Sequence, residues 1–515
     1  VQHHRTQGED QETGHEGHLN RRRFMALGAV AGGAVVMGRT TQAQDAATPA
    51  ASPAADPHAG HGASATPAST GPEPAPAPPL VGVPGQPLAS PEVRASQDGV
   101  LQIQLEASLT DTIVAGKAVK STVYEGTFPG PTWSLYSGDT IRLTLINSID
   151  QVTNIHTHGF HVSPKDNSDN IFLHINPGET FEYEYKIPNN HPAGIFWYHP
   201  HAHGNTAQQT TAGMVGAIII KGGLDEIDGI AGLTDRLLFL QSTQFTENGD
   251  MVPFEQQSPA TRMRLINGQL QPTIAIQPGE TQRWRFANAS SDDFFLLSLE
   301  GHQLHVIAKD GNPNNRVVTV DEILLAPAER VEVLVQATTS PGSFQLKTLP
   351  WGTEYQMQPE AVLATMVVSG AVLQPQPLPI DLLPFEDLSQ LPVDNYRTTV
   401  FEEPGPPLYL AIDGKHFDPD RIDQTVKLGA LEEWTVRNTS SHRHPFHIHV
   451  NDFQVVAVNG EPVEATSYMD TVDLPPNSEI TIRMRFADFD GKFVYHCHIL
   501  SHEDFGMMAT VDVVP

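Results

Sequence analysis

Four histidine clusters concentrate the chemistry of this chain. They are His156-Thr157-His158, His199-Pro200-His201, His444-Pro445-Phe446-His447-Ile448-His449, and His496-Cys497-His498, which is followed by His502 and Met507. In an extended strand, residues i and i+2 face one way and residue i+1 the other. Each His-x-His therefore aims two imidazoles at one place. Cys497, the only cysteine of the chain, must point away from that place and into its own domain. One strand can then hold two metal centres, with a short covalent path from the Cys to both flanking His.

Ligand type names the Cys side. A His2Cys set with a weak axial Met marks blue copper. Cys497, His502 and Met507 follow one another along one loop, and His444 can come from a neighbouring strand. Bound metal would hold the lone thiol as thiolate. The spacing favours Met507 as the ligand and leaves Met508 to core packing. The other side receives His156, His158, His199, His201, His447, His449, His496 and His498. Imidazole suits copper, zinc, iron and nickel alike. Eight of them joined to a blue copper strand point to a multi-copper cluster. A lone His-x-His is weak evidence, whereas four clusters in matched domains are strong evidence.

The elements that must position these residues are strands. At 515 residues the chain should split into about three domains. From about residue 93 it reads as short alternating segments broken by Gly, Pro and Asn, such as "DTIRLTLIN", "RVEVLVQA" and "EITIRMRF". That is the pattern of antiparallel β-sandwiches. The segments recur in register. Gly138, Gly279 and Gly429 each lead through a strand to Asn147, Asn288 and Asn438 at the same separation. "PGETFEY", "PAERVEV" and "PNSEITI" follow, then "GIFWYHPH", "GSFQLKTL" and "GKFVYHCH". Three ordered matches predict three related sandwiches, at 93–222, 223–375 and 376–515. The middle copy carries Lys347-Thr348-Leu349 where its sisters carry His199-Pro200-His201 and His496-Cys497-His498, so it is expected to bind no copper.

Residues 1–43 read as an export signal. Arg21-Arg22-Arg23 precedes an apolar run that ends near Gly38, and Thr41-Gln42-Ala43 is a small-residue cleavage site. The segment resembles a twin-arginine signal, with bulky Phe24 and Met25 after the pair. It implies a periplasmic, cell-surface or secreted protein. Residues 44–92, rich in Ala, Pro, Ser and Thr, read as a disordered linker in which His58 and His61 are solvated. The 60 acidic against 30 basic residues give a charge of −30. That disfavours nucleic acid and anionic membrane as partners.

The motifs "HTHG", "WYHPHAHG", "HPFHIH" and "HCHILSHEDFGMM" together resemble the three-domain multicopper oxidases, which include laccases, bilirubin oxidases and bacterial cuprous oxidases. The resemblance covers roughly 93–515. It implies an all-β chain of three cupredoxin-like Greek-key β-sandwich domains and four copper ions. Of these, a blue type 1 copper would be held by His444, Cys497, His502 and Met507. A type 2 copper would take His156 and His447. A coupled type 3 pair would take His158, His199 and His498 on one ion, and His201, His449 and His496 on the other. The implied reaction takes electrons singly from a small reducing substrate at the blue site. They pass through Cys497 with its neighbours His496 and His498 to the cluster, where O2 is reduced to water. No membrane partner is expected after signal removal, and a monomer is compatible with the sequence.

Two departures bear on mechanism and substrate. Several bacterial laccases carry an acid just before the second blue-copper His, where this chain has Ser501. A proton relay must then come from elsewhere, and Asp166 and Asp169 are the candidates. Residues 351–400 hold only Met357 and Met366, so a Met-rich lid suited to Cu(I) is lacking. Phenols and aromatic amines are therefore the expected reductants. An oxidase of Cu(I), Fe(II) or Mn(II) is the alternative, and an exported structural or copper-storage role stands further off. His161, His174, His191 and His203 are expected to have no ligand role.

Overall fold

The computed structural model describes residues 78–352, 357–406 and 409–515. The signal region and positions 44–77 of the expected linker lie outside the described residues. Strands dominate and pair into six sheets, two for each repeat. The first repeat sets a five-stranded sheet against a four-stranded one, the second a seven against a five, and the third a six against a five.

The three Gly-to-Asn segments occupy one topological place. Thr140–Asn147, Thr281–Asn288 and Leu431–Asn438 each lie between a parallel and an antiparallel neighbour. In-and-out alternation along strands such as Val100–Val114 builds each apolar core. The repeated Asn has a physical task. The Asn147, Asn288 and Asn438 amides are buried and donate to backbone carbonyls of the loops that follow, at 2.7–3.1 Å. Each Asn oxygen accepts an N–H two residues on. Buried loop backbone would otherwise lack partners.

Residues 80–89, inside the expected linker, are ordered. Leu80 donates to the Phe245 carbonyl at 2.8 Å, Val83 to Ala115 at 2.7 Å and Leu88 to Thr273 at 2.8 Å. This corrects the 44–92 limit. A Pro-rich segment is already extended, so its few remaining N–H groups can join exposed sheet edges at little entropic cost. Among the described residues no helix is long and apolar enough to cross a membrane.

Candidate metal centres

The His-bearing segments are short strands in equivalent sheets. His156–His158 pairs antiparallel with Ile195–His199, and His156 sits opposite His199. Phe446–Ile448 pairs with Gly491–Cys497, placing His447 opposite His496 and Phe446 opposite Cys497. Strand alternation does the sorting. Cys497 enters the apolar core of the third repeat with Met507 and Phe446, while its two His neighbours leave on the other face.

On that face the eight imidazoles of the first and third repeats meet, all buried. His158 stacks on His447 and His156 on His449, each with ring centroids 3.9 Å apart. His496 Nε2 lies 3.2 Å from both His201 Nε2 and His449 Nε2. Metal–imidazole bonds of about 2 Å put neighbouring nitrogens roughly 3.3 Å apart, so this trio suits one ion. The His158, His199 and His498 rings also adjoin, with centroids 4.8–5.9 Å apart.

The hydrogen bonds of the other ring nitrogens fix the tautomers. Nδ1–H of His199, His447 and His496 donates to the carbonyls of Pro200, Asp470 and Cys497 at 2.8–3.0 Å. Each Nε2 is left as a lone pair. Those of His199 and His447, with Nε2 of His156, Nδ1 of His158 and both nitrogens of His498, are buried without a hydrogen-bond partner. Burial first, then mutual repulsion, holds the pKa of His156, His158, His201, His449 and His498 far below the usual imidazole range. Neutral rings with bare, inward-facing lone pairs are costly alone and are what a metal cluster requires. The residues fit copper.

The second centre is trigonal. Cys497 Sγ lies 3.5 Å from His444 Nδ1 and 3.7 Å from His502 Nδ1, and these nitrogens are 3.2 Å apart. Cys497 N–H donates to the Met507 carbonyl at 3.1 Å, and Met507 N–H to that of His502 at 2.9 Å. Met507 is thereby folded back into the same core, whereas Met508 packs on Ile171 and Val494. Burial pushes the Cys497 thiol well up, so a bound cation is what would hold it as thiolate. This donor set also fits copper. His444 is fully buried, and His502 alone of the pair reaches solvent.

The two proposed acids separate. Asp169 is buried, and its Oδ2 lies 2.9 Å from His156 Nδ1 while its Oδ1 accepts Thr157 N–H at 2.9 Å. Burial pushes it up to about 7, against the pull of the Thr157 N–H and hydroxyl. Asp166 is exposed on a loop at φ +53°, and its backbone carbonyl accepts from Asn170.

Sequence reading missed two residues. Glu503 is fully buried, with one carboxylate oxygen 3.3 Å from His201 Nδ1 and the other 3.3 Å from His496 Nδ1. Burial, then the neighbouring Asp504, pushes its pKa well above the carboxylate range. The strand rule fails there because the chain turns helical at Leu500–Asp504. Each helical residue rotates the side-chain direction by about 100°, which carries Glu503 back to the cluster side. Asp504 anchors that helix by accepting the N–H groups of Gly204, Thr206 and Ala207. The signal was "HED", an acid just after His502 rather than before it. Asp470 is the other, with Oδ1 3.0 Å from His158 Nε2. No local motif marks it. Among the remaining His, His161 binds the Val450 carbonyl and Asp488, and exposed His203 packs on Phe417.

Three consecutive segments, 107–224, 231–371 and 387–515, match family models described as multicopper oxidase. A multicopper oxidase of Staphylococcus haemolyticus is 28% identical over 411 residues, covering 76% of this chain and 83% of that protein. A laccase of Bacillus subtilis is 26% identical, covering 76% and 89%. A solved structure from Campylobacter jejuni, titled a metallo-oxidase, superposes with a TM-score of 0.75 at 27% identity, covering 85% of this chain and 98% of that one. The chain belongs to the multicopper oxidases, copper-dependent oxidoreductases of three cupredoxin-like domains and four coppers that draw electrons from a reducing substrate to reduce O2.

Proposed function

We propose that this oxidase is laccase-like and takes its electrons from phenols and aromatic amines. The observation that carries the reading is the surface over the Cys497 centre. His502 reaches solvent there, Phe505 after it in the chain is exposed, and of the two methionines in 351–400, Met366 is buried in a strand while Met357 is exposed. A flat aromatic needs only such an edge, whereas a soft ion needs soft ligands.

The proposed copper assignment is His444, Cys497, His502 and Met507 for the blue site. His156 and His447 hold the type 2 ion. His158, His199 and His498 hold one type 3 ion, and His201, His449 and His496 the other. Copper supplies one-electron redox chemistry at the first site and O2 binding at the cluster. The chain supplies the rest. Cys497 joins the two places by backbone bonds alone. Glu503, between His201 and His496, and Asp169, on His156, are placed to hand protons to reduced oxygen. Asp166 has no part in this. Proposed domain limits remain 93–222, 223–375 and 376–515, supported by the sheets. Arg21-Arg22 supports twin-arginine export.

One observation favours the second reading, oxidation of a metal ion. Glu403 Oε1 lies 3.4 Å from His444 Nε2, and its carboxylate lies within 2.9 Å of His442 Nδ1. Burial opposes its charge, but hydrogen bonds with His444 and His442 outweigh that and hold it at about 2. A partly exposed carboxylate against a blue-site ligand could receive a cation. The test is kcat/KM for a phenol, an aromatic amine, Cu(I), Fe(II) and Mn(II) on copper-loaded wild type and Glu403→Gln. The phenol should lead, and Glu403→Gln should move the phenol-to-cation ratio by no more than about fivefold. A leading cation that collapses in Glu403→Gln reverses the assignment.

A further inference from the structure

The middle repeat has no copper ligands, yet it sends one buried charged side chain to the cluster. Arg330 is 1% exposed. It opens the Arg330–Gln336 strand, and strand register equates it with Thr180 and Glu479 in the sister repeats. All three pair with the residue just before the repeated Asn: Thr180 with Ile146, Arg330 with Ala287, Glu479 with Arg437. Thr180 is exposed and Glu479 half-buried. Only in the middle copy is this position, on the face away from its own core, fully buried.

There its guanidinium forks onto Asp470 of the third repeat, Nη1 reaching Oδ1 at 2.8 Å and Nη2 reaching Oδ2. A second middle-repeat residue, Asp310, grips the same segment. Its Oδ2 accepts the N–H groups of Asp470 and Thr471 at 3.3 and 3.2 Å, and its Oδ1 accepts Arg330 N–H at 2.9 Å. Asp470 in turn sets two cluster rings. Its Oδ1 accepts from His158 Nε2, and its carbonyl from His447 Nδ1 at 2.9 Å. The nitrogens left over, His158 Nδ1 and His447 Nε2, are the bare ones. Gly159 of "HTHG" belongs to the same packing, since a side chain there would strike Arg330 and Asp470.

We infer that Arg330, with Asp310, is a positioning residue for the copper cluster, through which the copper-free middle repeat fixes the orientation and tautomer of His158 and His447. The physical basis is the rigid two-pronged guanidinium–carboxylate pair, which leaves Asp470 one geometry in which to accept from His158. Such outer partners typically govern metal affinity by about 10- to 100-fold. The inference rests on the ligand assignment above.

The experiment compares the copper-loaded wild-type chain with Arg330→Met, Arg330→Lys and Asp310→Asn. It reads copper per chain against a graded chelator, the paramagnetic resonance of the non-blue mononuclear copper, and the blue absorbance. Arg330→Met should release cluster copper at about 10- to 100-fold less chelator and alter the resonance, with the blue band intact as an internal check on folding. Arg330→Lys should recover part of the loss. Wild-type copper retention and resonance in Arg330→Met overturn the inference. Should Arg330→Met not fold, Asp310→Asn decides: it should show the same changes more weakly, and unchanged behaviour there and in Arg330→Lys overturns the inference. Failure of the ligand assignment looks different, because the wild-type chain itself would then hold no cluster copper.

Discussion

The outer repeats and the middle repeat share one sandwich and divide its tasks. At the strand ends where the first repeat sets His156 opposite His199 and the third sets His447 opposite His496, the middle repeat sets Leu297 opposite Thr348 and Ser298 opposite Lys347. Lys347 pairs with Glu360 at 3.0 Å on the surface. The fold tolerates either set, because these positions need only alternate between an inner and an outer face. What distinguishes the outer repeats is that their His-bearing outer faces meet each other. A bare imidazole nitrogen is tolerable only where other imidazoles share an ion with it. The middle repeat has no such partner face, and its contribution comes from a strand start elsewhere, at Arg330. Ligand loss in one copy thus need not mean loss of a part in the chemistry.

The largest test of the contrast lies in the third repeat. Cys497→Ser should bleach the blue absorption and bring turnover to background, while cluster copper stays. A variant that remains blue would remove the site from this strand. Next comes the acid between two cluster rings. Glu503→Gln keeps the shape but cannot exchange a proton, and turnover should fall about 100-fold with copper count and blue band unchanged. Normal turnover would move the proton relay to Asp169. The smallest effect is expected at the middle repeat's counterpart of His199 and His496. Lys347→Ala removes one surface ion pair, and should change stability by no more than about 0.5 kcal/mol, with four coppers retained. Loss of copper there, by metal analysis, would break the correspondence between the repeats.

Much of the candidate site was legible because its His and Cys side chains lie in strands or near Cys497. Period-two alternation assigns the faces of His156 and His158, and of His496, Cys497 and His498, without any knowledge of the partners. The repeated Gly-to-Asn spacing is legible for a similar reason: one buried amide binds its loop in each copy. Glu503 was not legible by that rule, since a single helical turn changes the angle between successive side chains. The order of residues 80–89 was hidden for another reason. A Pro-rich composition reports the lack of a core of its own, and says nothing of sheet edges elsewhere that the segment can join.

The sequence by itself determined the types of donor side chain, their pairing along strands, and which sandwich lacks the His pairs, since these depend on residue identity and local backbone period. Only the tertiary structure decided which rings of the first repeat stand against which of the third, that His502 rather than His444 meets solvent, and that Arg330 and Asp310 reach Asp470 from another repeat. The contacts of Arg330 and Asp310 with Asp470 join residues more than a hundred positions apart. Their geometry comes from how whole sandwiches pack, and no local pattern in the chain encodes it.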